Sequence, residues 1–549
     1  MSVRVTGTLV LLLLLAACSG SGSGMSTSPP PAGPPPPGGG PPPPVPTTHT
    51  SVLTYKNDVA RSGANLSETL LTTANVNSTD FGLYRMLATD GKVDAQPLYI
   101  GGLSVQGAAH NVVFVATESD TVYAFDADAG TALWRESLLG SGETPSDTHG
   151  CSQVVPMIGI TSTPVIDPAA GAHGILYVVA MSKDSSGNYF QRLHALDITT
   201  GAELLGGPVV ISGTYPMLGG TVTFDPGQYE ERAALLLSQG TLYISFTSHC
   251  DSPPYSGWVF TYNPATLART AALNVAPNSG GAGPAIWMAG GGPAADSGGN
   301  VYLLTANGKF ETTLNASGFP NEADFGNSFL KLTLSGSSLT VSDYFTMFNE
   351  VSESNADEDL GSGGIMLLPD MTDSGGTTRH LAVGAGKDGN LYVVDRDSMG
   401  KFTSGSNNIW QQLTGALAGG IWSTPAYFNG TVYYGPVGGS LLAFPVTSAK
   451  LASSPSSASA ASFAYPGTAP AISANGTMNG IVWAHENSDP AVLHAYDASD
   501  LTHELYNSSQ AAGGRDQFGA GNKFITPTVA DGRVFVGTAN SVAEFALRN

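Results

Sequence analysis

Two cysteines in this chain stand beside histidines. Cys151 lies two residues after His149, and Cys250 directly follows His249 and precedes Asp251. Thiolate, imidazole and carboxylate are the ligands of a structural zinc site, whereas the same two thiols can instead join as a disulfide. A His-Cys dipeptide is an awkward chelate, and the disulfide is the favoured reading. The run Asn355-Ala356-Asp357-Glu358-Asp359 offers three carboxylates to a hard cation such as calcium. Its spacing is not that of an EF-hand loop, so a solvated acidic loop is the plainer reading. Trp287 and Trp422 sit in the Gly-rich stretches GPAIWMAGGGP and GGIWSTP. They are the candidates for stacking a ligand, with packing between neighbouring elements as the competing role. Gly-x-Ser-x-Gly is absent, and Ser-x-x-Lys occurs only at Ser328–Lys331 in a strand pattern and Ser398–Lys401 in a turn pattern. Neither context supplies a buried nucleophile, and no residue is assigned catalysis.

The elements that must position these residues are copies of one unit. Asn111 to Leu138, NVVFVATESDTVYAFDADAGTALWRESL, reads as three short strands separated by Ser-Asp and Asp-Gly turns. Strands of the first kind recur at Ile175, Thr241, Val301, His380, Thr431, Ile481 and Arg533, and nearly all are followed by a partner such as RLHALDITTG or VLHAYDASDL. A further strand with a proline precedes many of them, at Pro97, Pro164, Pro293, Pro425 and Pro527. Proline is confined to strand starts and unpaired edges, so these strands are expected to line an axis. Small meanders bury their faces only against copies of themselves. The sequence therefore predicts an all-β fold, a single β-propeller of about eight four-stranded blades. The last repeat ends after three strands, and GLYRMLAT from Gly82 is expected to supply the fourth and close the ring. His194 and His494 hold equivalent positions in LHALD and LHAYD, which assigns them to packing. In a four-stranded meander the loops carrying Cys151 and Cys250 emerge on one face, together with the insertions 139–157, 308–327 and 345–361. That face is the expected functional surface.

The meander with Ala, an apolar residue, Asp, a Gly turn and Trp (AFDADAGTALW, and in weaker form ALDITTGAELL and AYDASDLTHEL) resembles the pyrroloquinoline-quinone-like propeller repeat. That repeat occurs in quinoprotein dehydrogenases and in the lipoprotein scaffold of the outer-membrane β-barrel assembly machinery. TYKNDVARSGANLSETLL, VDAQPLY and DLGSGGIMLLPD further resemble a family of secreted bacterial propeller proteins. For the dehydrogenases the resemblance implies a channel cofactor with calcium or a lanthanide, a vicinal cysteine pair, a stacking Trp and an Asp base. This chain has no Cys-Cys pair and no Cys-x-x-Cys-His haem motif. The resemblance thus implies the fold and argues against PQQ as a cofactor, leaving calcium as an open ligand.

Residues 1–17 carry one early charge, the apolar run Leu9 to Leu15 and small residues before Cys18. The apolar run is far shorter than the roughly 20 residues a spanning helix needs. Leu15-Ala16-Ala17-Cys18 resembles the bacterial lipobox, which implies lipidation at Cys18. Residues 18–49 are Gly, Ser and Pro and read as a stalk, leaving 50–549 for the propeller. Net charge is −22 with a pI near 4.6, which excludes nucleic acid and anionic lipid as direct partners. The expected protein is a monomer in the cell envelope, at the outer membrane if the cell is Gram-negative, held to the membrane by its lipid anchor alone. It is read as a binding or scaffolding module for a protein or glycan. The alternative is a propeller enzyme, either a quinoprotein-type oxidoreductase or a polysaccharide lyase or hydrolase.

Overall fold

Runs rich in Val, Ile, Tyr and Phe, cut by Gly, Asn and Asp, leave strands too short to bury two faces alone. In the computed structural model, which describes residues 49–548, they form eight antiparallel sheets arranged as the blades of a propeller. Blade 1 is Leu98–Val105, Ala108–Thr117, Thr121–Asp126 and Ala132–Ser137, paired in that order. The core lies between blades. Val112 and Phe114 of blade 1 pack against Ile166, Leu176 and Val178 of blade 2, and Tyr99 of blade 1 packs with Phe535 and Val542 of blade 8. Such apolar contact between sheets is what makes the ring cooperative.

Each proline singled out in the sequence immediately precedes the innermost strand of its blade: Leu98–Val105, Val165–Asp167, Ala294–Ala295, Ala426–Phe428 and Thr528–Ala530. Pro470, before Ala471–Asn475, is a sixth. The ring closes as expected. Phe81–Ala88 pairs antiparallel with Ser541–Leu547, from Phe81 opposite Leu547 to Ala88 opposite Ser541, and supplies the fourth strand of blade 8.

The segment just before it has a role that the sequence did not disclose. Residues 50–68 run round the inner edges of the blades. Backbone N–H groups of Gly101, Ile166, Ala295, Leu367, Tyr427 and Ile472 donate in turn to the carbonyls of Thr50, Leu53, Val59, Ala60, Ser62 and Gly63. Arg61 reaches Leu235 O of blade 3 at 3.2 Å, and Asn65 reaches Val529 O of blade 8 at 2.9 Å. All eight innermost strands, each otherwise an open edge, are thereby engaged. Val59 and Ala60 lie beside the turns at Gln239 and Ser297–Asn300, so the segment occupies the channel end opposite the predicted functional face. Tyr55, Lys56 and Arg61 are fully buried there.

Burial lowers the Lys56 ammonium to about 7, against a smaller opposing pull from Asp58. A lysine depressed in the fold binds fewer protons folded than unfolded between about 7 and its ordinary 10.5, so its contribution to stability is present above 10.5 and is lost as pH falls to 7. Lys56→Met removes this dependence. Melting temperatures of K56M and wild type are therefore expected to shift in favour of K56M as pH is lowered from 10 to 7, and a constant difference contradicts the assignment.

Cys151 and Cys250 are joined, with a Cα–Cα distance of 5.4 Å, tying the connection after blade 1 to the loop between the second and third strands of blade 3. The bridge spans 99 residues, a loop length for which chain-entropy models give about 4–5 kcal/mol. The zinc alternative falls with it. Both thiols are spent, and the His149 and His249 rings lie stacked at 4.0 Å instead of converging on a point.

Two insertions carry structure that the repeat pattern did not announce: a helix at Glu350–Asn355, and a hairpin of Thr214–Met217 with Gly220–Thr223. The signal sequence expected at residues 1–17, the expected lipidation site Cys18 and residues 18–48 of the expected stalk lie outside the described residues. Among the described residues no helix is long and apolar enough to cross a membrane.

Candidate functional site

The irregular chain that leads into each innermost strand, and the loops between second and third strands, converge on the channel end not taken by residues 50–68. There they enclose a pocket of about 220 Å3, room for one ring system or a short side chain. Four aromatic residues form much of its wall: Trp287, Trp422, Tyr465 and Phe524. Trp422 meets Tyr465 edge-on at 5.6 Å, and Tyr465 meets Phe524 edge-on at 6.3 Å. Arg232 lies between two of these walls, 4.5 Å from the ring of Phe524 and 5.4 Å from that of Trp287. Its side chain is 4 % exposed, its nearest carboxylate is Glu230 at 3.8 Å, and its Nε has no hydrogen-bond partner.

The opposite wall is ionic. Lys387, from the loop between the second and third strands of blade 5, places Nζ 2.6 Å from Asp359 and 2.9 Å from Asp357. Asn307 steadies both acids, donating from its backbone to Asp359 and from Nδ2 to Asp357. Burial pushes the Asp359 carboxyl up to about 6 despite the ammonium beside it. Asp251, next to the disulfide, is also raised by burial, with Ser248 opposing. Backbone strain concentrates here. Cys250, Asp251, Ala289, Asp357 and Phe524, all lining residues, have φ between 46° and 64°, a region that side chains other than glycine rarely occupy and that functional sites retain.

The sequence candidates thus meet in one place. Trp287, Trp422, Asp357, Asp359 and Cys250 line the pocket, and Cys151 is bonded to the last of them. Glu358 does not line it, and the position between Asp357 and Asp359 is filled by the Lys387 ammonium. His194 and His494 lie outside the pocket, where the sequence assigned them to packing; each places Nδ1 2.7 Å from a carboxylate, of Glu203 and Glu504 respectively. Arg232, Lys387, Tyr465 and Phe524 were missed. For the aromatics a signal existed: Trp422, Phe524, Tyr465 and Trp287 each lie three to six residues before an innermost-strand proline. Arg232 belongs to no recurring motif, whereas Lys387, in Ala385-Gly386-Lys387 after the second strand of blade 5, is matched by Lys309 in Ala306-Asn307-Gly308-Lys309 after that of blade 4.

An eight-bladed propeller of PQQ-like repeats with a polar-aromatic pocket at one channel mouth is the class of protein these features define. Residues 59–204 match the family model described as outer membrane protein assembly factor BamB. Similar solved structures are the quinohemoprotein alcohol dehydrogenase of Comamonas testosteroni and that of Pseudomonas putida HK5. The first is 15 % identical with TM-score 0.58, the second 14 % with TM-score 0.57; each covers 90 % of this chain and 80 % of its own. A europium-containing methanol dehydrogenase is similar at 13 % identity and TM-score 0.54, over 90 % of this chain and 98 % of that one. At these identities the likeness is one of fold. No curated protein matches the sequence.

Proposed function

We propose that this protein is a cell-envelope binding module, lipid-anchored at Cys18, whose mouth pocket takes a carboxylate-bearing ring presented by an acidic glycan. Arg232 carries the reading: a buried guanidinium between two aromatic faces, with a donor unused, offers charge and stacking together to a planar or ring-shaped anion. Trp422 and Tyr465 widen the apolar surface for the ring, and the strained loops hold these groups in place before the ligand arrives. A stalk of Gly, Ser and Pro would carry such a pocket away from the membrane surface.

The experiment is calorimetric titration of the purified lipoprotein with uronic-acid oligosaccharides and their neutral counterparts. Arg232→Gln is expected to weaken binding of the acidic series about 10- to 100-fold, the value of a charged hydrogen bond, and Trp287→Ala to weaken it further. Equal affinity for acidic and neutral sugars, or an unaltered R232Q, rejects the reading. Cys18→Ser is expected to move the protein to the soluble fraction, and its retention in the membrane rejects the anchor.

A second reading is favoured by one observation, the meeting of Trp287 and Asp359 in a single channel pocket beside a disulfide. These residues fit a quinone cofactor in part. Trp287 would stack the planar ring and Arg232 would pair with a carboxylate, while Lys387 already fills the space between Asp357 and Asp359 where a calcium ion would be held. Such a cofactor, when bound, supplies two-electron redox chemistry. Asp359, raised to about 6, would be the group on this chain able to take up a proton.

A further inference from the structure

A cleft of about 700 Å3 opens between blades 4 and 5 at the channel end held by residues 50–68, on the face away from the mouth pocket. Two cations line it: Lys331, on the third strand of blade 4, and Arg396, just after the third strand of blade 5. Both lie against the buried ring of Tyr302, Arg396 Cζ at 5.7 Å and Lys331 Nζ at 5.8 Å from its centre. The Arg396 side chain is 9 % exposed. Its Nε donates to Leu381 O at 3.3 Å, whereas among the described residues its two terminal nitrogens make no hydrogen bond. The nearest carboxylate, Asp296, stands 3.6 Å away, and its oxygens already accept from Gly298 N, Asn300 N, Asn300 Nδ2 and Tyr302 Oη. Lys331 Nζ donates to Arg396 O at 2.9 Å and reaches no carboxylate among the described residues. Two cations against one acid leave a net positive charge, in a chain with 43 acidic and 21 basic residues. Idle donors on a buried guanidinium cost stability until an oxyanion takes them.

The rim of the cleft has the opposite sign. Asp370 and Asp397 are 67 % and 63 % exposed, with the His380 ring between them, 3.7 Å from the first and 2.8 Å from the second. One histidine carries at most one charge for two carboxylates, so the rim stays negative. The Arg396 backbone N–H donates to His380 O at 2.7 Å, which sets the inner cation and the rim acids side by side.

We infer that this cleft binds a short peptide by its two ends, the terminal carboxylate on Arg396 and Lys331 and the terminal ammonium at Asp370 and Asp397. A single carboxylate matches the single net positive charge within, and its two oxygens suit the planar fork of an arginine. The volume falls in the range of small-molecule sites and leaves room for the side chains between the two ends. A lipid headgroup such as phosphoethanolamine fits in the wrong order, since its amine is the tip and would meet the inner cations first. The cleft and the mouth pocket lie at opposite ends of the channel, so the inference does not rest on the glycan reading.

The test is calorimetric titration of the purified full-length protein with trialanine, its C-terminal amide, its N-acetyl derivative and inorganic phosphate. Trialanine is expected to bind one-to-one with a dissociation constant below about 1 mM. The amide, which lacks the carboxylate, is expected to bind at least about tenfold more weakly, the value of a charged hydrogen bond. Acetylation removes an exposed ion pair and is expected to cost about two- to fivefold. Arg396→Gln is expected to weaken trialanine at least about tenfold, and Lys331→Met, on a partly exposed side chain, to weaken it in the same direction. Neither variant should alter binding of an acidic sugar at the mouth. No binding of trialanine up to about 10 mM overturns the inference, as does equal affinity for the amide or binding unaltered in both R396Q and K331M. Binding of phosphate without trialanine overturns it too, since the cleft would then hold a small oxyanion only.

Discussion

Deletion of Phe81–Ala88 is expected to abolish the folded ring. The strand closes blade 8 against Ser541–Leu547, and its first residue is central to the packing between blades 7 and 8. Phe81 is 0 % exposed and meets Tyr506 edge-on at 5.1 Å, Trp483 at 5.4 Å and Phe545 at 6.3 Å. Losing a buried Phe to a cavity costs about 3–5 kcal/mol. Leu87, also buried, adds about 2–5, and the whole of Ser541–Leu547 becomes an open edge. The sum approaches the about 5–15 kcal/mol that typically holds a domain together. A melt followed by circular dichroism is expected to show no cooperative transition. Because both chain ends are needed for one blade, partial folding of the remaining seven is not the expected outcome. A transition within a few degrees of wild type would mean that the ring closes by other means.

The second large effect belongs to Arg61. Its guanidinium, fully buried, donates to Pro293 O at 2.9 Å, Thr54 Oγ1 at 2.8 Å, Tyr55 O at 3.0 Å and Leu235 O at 3.2 Å. These acceptors belong to blades 3 and 4 and to the segment that rings the channel, so one side chain joins three pieces of backbone. Arg61→Ala strands four buried acceptors at about 1–3 kcal/mol each before relaxation or water repairs some of them. A net loss of about 3–5 kcal/mol is expected, read as a lowered urea midpoint with an unchanged slope. Arg61→Lys should rescue little, because a compact ammonium cannot reproduce a planar fork of donors. Full stability of R61A would show that the channel segment is attached by its backbone alone.

Much of the ring was legible because repetition amplifies weak signals. A single VYAFDAD is a plausible strand, but eight copies at similar spacing fix strand type, order and number. The prolines marked the innermost strands, since only an unpaired edge tolerates a missing N–H. The shortage of a final strand pointed to the apolar run at Phe81. Residues 50–68 were not legible in this way. Their hydrogen bonds are made by main-chain carbonyls, which leave no side-chain pattern, and the buried Lys56 and Arg61 read in sequence as solvent-facing charges. The site was half legible for a related reason. Trp287, Trp422, Asp357 and Asp359 stand out by type within Gly-rich or acidic runs. Arg232 and Lys387 owe their roles to which loops meet above the channel, a property of closure and not of local spacing. Asp357 and Asp359, read in the sequence as part of a solvated acidic loop with calcium as the alternative, instead hold the Lys387 ammonium.

The central claim, that the channel mouth is a pocket for a carboxylate-bearing ring, is tested most directly by native mass spectrometry of the purified full-length protein. The protein would be exposed in parallel to an acidic trisaccharide, its neutral analogue, and pyrroloquinoline quinone with calcium, in wild type and in R232Q. The account predicts a one-to-one adduct with the acidic sugar that is lost in R232Q and absent with the neutral analogue. An adduct with the quinone alone, lost in the same variant, would keep the pocket and replace the glycan with a redox cofactor. Adducts that persist in R232Q, or none with any of the three, would contradict the claim.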